Sequence, residues 1–185
     1  MRATREPPPG EPPPGPADDV SVRPVDRSSL KAVEAGLANR PATKHRQRFT
    51  FQRRGLGLYL IAWEGREPVG HALLRWPGAE SSARARAERC PEVEDLHVLP
   101  GRRRRKVATR LVEACERLAA ERGYATLGLA VGVDNGPARA LYERRGFRDA
   151  GHGEFAVSGR YWGDDGTPFE GRETCVYLTK PVARD

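Results

Sequence analysis

Residues 92–133 read EVEDLHVLPGRRRRKVATRLVEACERLAAERGYATLGLAVGV, and three consecutive elements can be parsed from them. Glu92 to Val98 has strand composition, but its apolar residues Val93, Leu96 and Val98 break the two-residue period at the step from 93 to 96. A bulge near Glu94-Asp95 would return both ends to one face. After the basic run Arg102 to Lys106, the apolar positions Val107, Leu111, Cys115 and Leu118 fall at spacings of four and three, flanked by Ala108, Val112 and Ala119. This is the stripe of an amphipathic helix, ended by Gly123. Thr126 to Val133 then alternates, with Leu127, Leu129, Val131 and Val133 on one face and Gly128, Ala130 and Gly132 on the other. The face of small residues must receive a close neighbour. Strand, helix and strand in this order form a parallel crossover, and ligands of such sheets gather where strand ends meet helix N-termini.

Working outward, Leu58 to Trp63 and Val69 to Trp76 are two apolar runs joined by Glu64-Gly65-Arg66-Glu67-Pro68, which reads as a β-hairpin. Upstream, Ser21 to Val25 alternates like a short edge strand, and Asp26 caps a helix bearing Leu30, Val33 and Leu37. A basic, poorly patterned stretch runs on to Arg54, and residues 77–91 read as a polar loop. Downstream, Asp134-Asn135-Gly136-Pro137 opens a short helix through Arg145, closed by Gly146. Phe147, a glycine-rich loop around Tyr161-Trp162-Gly163 and a last strand near Thr174 to Thr179 complete the chain. The order of elements makes an α/β fold. Residues 1–18 carry two PPPG runs and are expected to be a disordered tail ahead of one folded domain over 19–185.

The 185 residues fit one ordinary domain. With 32 Lys+Arg against 25 Asp+Glu the formal charge is +7, which raises nucleic acid as a partner to be weighed. No apolar stretch approaches the roughly 20 residues of a membrane helix, and the sequence is expected to be cytoplasmic with no membrane partner. Cys90, Cys115 and Cys175 are odd in number and widely spaced, which argues against both a disulfide framework and a metal site.

Two stretches together resemble the GNAT superfamily of acyl-CoA-dependent N-acetyltransferases. Val98-Leu99-Pro100-Gly101-Arg102-Arg103-Arg104-Arg105-Lys106-Val107-Ala108 is similar to the acetyl-CoA signature V-x-P-x-x-[QR]-x-x-G-x-[GA]. Asn135 to Phe147 matches the second element, N-x-x-A-x-x-L-Y-x-x-x-G-F, at every fixed position. The resemblance covers about residues 19–180 and implies a central mixed, mostly antiparallel sheet with a splayed parallel strand pair and flanking helices. It implies acetyl-CoA as cosubstrate, with Arg103 at the Q/R place and the backbone of Arg104, Arg105, Lys106, Val107, Ala108 and Thr109 around its pyrophosphate. Leu96, His97 and Val98 would pair with the pantetheine as a further strand, leaving the thioester near the bulge. Physics agrees, because a loop entering a helix N-terminus offers unpaired N–H groups and a positive dipole end. Lys106 departs from the signature at its first glycine. Obstruction by this side chain is expected to outweigh its charge, so that Lys106→Gly tightens donor binding.

For Tyr142, the resemblance implies a phenol hydrogen-bonded to the departing CoA thiolate, against the alternative of a half-buried core tyrosine. Full proton transfer from tyrosine to thiolate is uphill by roughly 2 kcal/mol, so charge stabilisation matters more than delivery. Asn135 is balanced between a cofactor contact and a helix cap. A protonated amine needs a base, and Glu92, eleven residues before Arg103, falls where the histone-acetylating branch places one. Other members use a glutamate where this chain has Ala130. Glu92, Glu94 and Asp95 would form an acidic patch for a cationic amine, and His71 and His97 read as sheet residues. The first reading is direct transfer of acetyl from acetyl-CoA to a primary amine in a ternary complex. A non-catalytic acyl-CoA-binding or regulatory domain on the same fold is the alternative. The double motif weighs against a nucleic-acid module, and a homodimer is compatible with the sequence.

Overall fold

Alternation in the central hairpin decides which side of the sheet is which. In β2 (Gly57–Glu64), Leu60 and Ala62 join one buried cluster while Tyr59, Ile61 and Trp63 join another. Its partner β3 (Glu67–Arg75) divides in the same way, with Ala72 and Leu74 opposite in direction to Leu73. The computed structural model describes residues 20–78 and 82–182, and the proline-rich tail expected at 1–18 lies outside them. With β1 (Val20–Pro24), β4 (Glu92–Val98), β5 (Thr126–Gly132), β6 (Arg148–Asp149), β7 (Phe155–Trp162) and β8 (Pro168–Pro181), the hairpin forms one eight-stranded sheet. The order is β1-β2-β3-β4-β5-β8-β6, with β7 paired to β8 beside this path.

Neighbours are antiparallel except β4 and β5, which run parallel and register only at Glu92 with Gly128 and Val93 with Leu129. Beyond Val93 the two strands part, which is the splayed pair of a GNAT-type mixed sheet. On the first face lie α4 (Val107–Glu121) and α5 (Gly136–Arg144), which bury Leu111, Val112, Cys115 and Tyr142 against Leu127, Leu129 and Leu178. Each such leucine removed from water contributes about 1.5–3 kcal/mol. On the second face, α1 (Leu30–Gly36) buries Val33 against the hairpin, with Leu37 just beyond its end, and α2 (Ala42–Arg53) buries His45.

The expected bulge is present. Register steps from Leu73 opposite Glu94 to His71 opposite His97, so β4 carries one extra residue, and Asp95 sits at φ 50°. Val93 and Val98 are thereby both delivered to the α4 side, and Glu94 and His97 to the other. The neighbour demanded by the small-residue face of β5 is Tyr177 of β8: a Cβ on Gly128 would lie 2.8 Å from its ring carbons.

Three expectations need correction. The poorly patterned stretch contains α2, which turns Lys44, His45 and Arg48 inward beside Phe49 and Phe51, so no continuous apolar stripe announced it. The polar loop at 77–91 contains α3 (Ala83–Glu88), with Ser82 Oγ accepting the Ala85 N–H at 3.1 Å. The glycine-rich loop is instead the β7–β8 hairpin, turning at Gly163–Thr167, and its strands are largely exposed and lack alternation.

Candidate functional site

Where β4 leaves β5, the chain makes a single 3-10 turn over Pro100–Arg102 and enters α4 through two left-handed residues, Arg104 at φ 61° and Lys106 at φ 60°. Lys106 is the N-cap and supplies no side-chain acceptor, so the N–H groups of Val107, Ala108 and Thr109 open the helix uncapped. A left-handed residue other than glycine is strained by about 1 kcal/mol, and the signature has glycine at this position. Arg102 and Arg105 both reach Glu64 Oε2, at 2.9 and 3.2 Å, and Arg102 also reaches Glu67 at 2.9 Å. Arg103 bonds the Val98 carbonyl and pairs with Asp164 at 2.6 Å. Arg104 and Lys106 are exposed and have no ion pair among the described residues. The positive charge at this end is therefore smaller than the run of five cations suggests. Leu96, His97 and Val98 run beside β3 on one edge, and no β5 pairing is recorded on the other.

Tyr142 is buried in the α4 cluster, its ring edge-on to Phe147 at 5.8 Å, and burial pushes its phenol up to about 12. No hydrogen bond to its hydroxyl is recorded among the described residues. Asn135 is occupied as a cap, its side chain accepting the Ala138 N–H at 3.3 Å. Glu92 is buried, and Tyr177 and Cys90 are close enough to feel its charge. Burial, then the nearby Glu94 charge, raises its carboxyl above the usual range, and its Oε2 has no partner. Glu92 pairs in register with Gly128, whose missing Cβ faces Tyr177, whereas Tyr142 belongs to the α4 side. The two expected catalytic residues thus stand on opposite faces of the sheet. The expected acidic patch is neutralised: Glu94 binds Arg75 at 2.7 Å, and Asp95 binds Arg48 at 3.0 Å and Lys44 at 3.3 Å.

On the bulge side three distant segments converge, and the sequence had not linked them. Asn39 and Arg40, from the α1–α2 connection, both reach the His97 ring, and Arg40 also reaches the Gly163 carbonyl at 3.5 Å. Trp162 closes this corner, with Lys44 Nζ 4.0 Å above its ring. Arg40 only donates, so its 3.3 Å contact makes His97 Nδ1 an acceptor. Burial and then the Arg40 charge push His97 down to about 4, so at neutral pH it is a neutral, weak base. Behind it His71 is sealed, with both ring nitrogens unpartnered, and burial pushes it down to about 3. No motif marks this corner, because its members lie 57 to 123 residues apart. A hollow of 520 Å³ beside Arg139, Arg144 and Arg148 contains none of the expected site residues. Cys90, Cys115 and Cys175 are free and buried. Among the described residues, no group of His, Cys, Asp or Glu is set to hold a metal, and no helix is long and apolar enough to cross a membrane.

The profile of the acetyltransferase (GNAT) family matches residues 30–147, from α1 through the α4 entry loop to Phe147. The chain belongs to the GNAT acetyltransferase family. An N-acetyltransferase from Staphylococcus aureus Mu50 shares its fold with a TM-score of 0.65 at 16% identity, over 88% of this chain and 98% of that one. The ribosomal-protein-S18-alanine N-acetyltransferase of Escherichia coli superposes with 0.62 at 18%, over 90% and 96%. A phosphinothricin acetyltransferase from Sinorhizobium meliloti, determined in complex with AcCoA, superposes with 0.64 at 15%, over 89% of both chains. No curated protein sequence matches the chain. Membership in GNAT makes this an acyltransferase. The β7–β8 hairpin lies beyond the matched residues, whereas Arg40 and His97 lie within them.

Proposed function

We propose that this GNAT protein transfers acetyl from acetyl-CoA to a primary amine by direct attack in a ternary complex. The observation that carries the reading is the β4–β5 split leading into the uncapped N-terminus of α4, inside the residues the family profile matches. The N–H groups of Val107–Thr109 suit the pyrophosphate, because they lack protein acceptors and sit at the positive end of the helix dipole. Arg104 and Lys106 add free charge, and the unpaired edge of Leu96–Val98 suits an extended pantetheine arm.

A thioester lying in the split is accessible from both faces, which gives Glu92 and Tyr142 separate tasks. Glu92 takes the amine proton, directly or through water; its raised carboxyl is a stronger base than an exposed one. The amine attacks the thioester carbon, and the sulfur leaves as thiolate. Tyr142 keeps its own proton, since burial pushes it up to about 12, and donates a hydrogen bond to that thiolate. His97 does not compete as base, because Arg40 occupies its Nδ1. The buried cysteines, with thiols raised by burial, offer no nucleophile for a covalent route. A thiol-release screen over amine classes tests the reading: acetyl-CoA-dependent release with one class supports it, and donor binding without release on any amine would leave an acyl-CoA-binding domain.

A further inference from the structure

The α1–α2 corner holds a buried cation with no carboxylate of its own. Arg40 is 8% exposed, and its donors meet only the carbonyls of Asn39 and Gly163 and the His97 ring, while its Nε is sealed and unpartnered. Buried guanidinium groups are normally matched by an anion, because the cost of removing their charge from water is otherwise uncompensated. The carboxylates nearest in effect are already engaged: Asp95 by Lys44 and Arg48, Asp164 by Arg103. Among the described residues, Arg40, Lys44, Arg48 and Arg103 face Asp95 and Asp164, with Glu94 divided between Arg75 and Arg48, so the corner carries a surplus of positive charge.

Arg40 also lies in a particular place. It touches His97, the residue that follows the bulge and whose backbone would meet the pantetheine, so an anion received by Arg40 sits beside the thioester end of the split. A free amino group on a neighbouring carbon of the same molecule then falls within reach of that thioester. Trp162 and Lys44 wall the outer side.

Resting on the transferase reading above, we propose that the acceptor is a small amine carrying a carboxylate or phosphate close to its nitrogen, and that Arg40 receives this anion and sets the specificity. A guanidinium-to-oxyanion contact is among the stronger charged hydrogen bonds, and its direction also orients the amine.

The experiment compares matched pairs on the full chain with saturating acetyl-CoA: alanine with alaninamide, glutamate with its α-amide, and phosphoethanolamine with ethanolamine. Expected is a kcat/KM at least about tenfold higher for the anionic member of one pair, with the amino acids and phosphoethanolamine telling carboxylate from phosphate. Arg40→Gln should abolish that preference by raising the KM of the anionic member until the pair is turned over alike, while Arg40→Lys restores part of it. If Arg40→Gln does not fold, the wild-type ranking alone decides. Equal or better turnover of the neutral members overturns the inference and leaves the transferase intact. Acetyl-CoA binding with no turnover of any amine, including uncharged and polycationic ones, overturns the transferase reading and this inference with it.

Discussion

The two ends of the β4–β5 split are built from different materials. The end proposed for the donor is mostly main chain: an uncapped helix start, two left-handed residues and an unpaired strand edge. The end proposed for the acceptor is mostly side chain: Asn39 and Arg40 on the His97 ring, with Lys44 over Trp162. A site made of backbone needs consecutive residues of defined shape and leaves a motif. A site made of side chains needs only that distant positions meet in space, and it can vary while the fold persists.

The largest break should come at the hinge between the two ends. Tyr142→Phe is expected to lower kcat about 100-fold or more with donor affinity retained, because its hydroxyl acts on charge that appears only as sulfur leaves. Its melting temperature should match the parent, since no protein group loses a recorded partner. An unchanged kcat would make Tyr142 a packing residue beside Phe147.

Glu92→Gln should cost about 10-fold or more in kcat at pH 7, with the deficit shrinking at high pH where the amine is already neutral. Stability moves the other way. The folded carboxyl is raised above its unfolded value, so the folded chain holds the extra proton between those two values and wild type loses stability as pH rises through that window. Glu92→Gln removes this loss and should melt higher than wild type at pH 7 and equally below pH 4. A lower melting point at pH 7 contradicts a buried carboxylate whose Oε2 has no partner.

Trp162→Ala tests the acceptor end alone: the KM for the amine should rise about 10-fold while acetyl-CoA affinity holds, because the wall over Lys44 is lost and α4 is untouched. A matching loss of donor affinity would mean the two ends are not separable.

The smallest effect is expected at Lys106, where the backbone and the neighbouring ion pairs weigh against obstruction. Lysine already adopts the left-handed backbone that glycine favours, so it does not prevent the loop from forming. Two of its neighbours, Arg102 and Arg105, are spent on Glu64, leaving Lys106 one of few free cations. Lys106→Gly should therefore stabilise the fold by up to about 1 kcal/mol yet weaken acetyl-CoA binding a few-fold. Tighter binding would restore obstruction as the dominant effect.

The parts of the fold readable from sequence were those governed by period and spacing: the hairpin, the β4 bulge, α4, β5 and the Asn135-capped α5. Helix α2 was hidden because Lys44, Arg48 and His45 bind Asp95 and Tyr59 on its inner face, and its two inward apolar residues, Phe49 and Phe51, make no periodic stripe. The β7–β8 hairpin was hidden because both of its faces meet water. At the proposed donor end the run of cations was legible but its neutralisation was not, since Glu64 lies on another strand. At the acceptor end, Arg40 stood in a stretch crowded with arginines, and only packing showed which one is buried.

The most direct test is amide hydrogen exchange with and without acetyl-CoA. The account predicts slowed exchange confined to two stretches, Leu96–Val98 and the α4 entry at Arg103–Thr109, as pantetheine and pyrophosphate engage these N–H groups. Unchanged exchange there at saturating acetyl-CoA, or protection confined to the hollow beside Arg139 and Arg148, would contradict it.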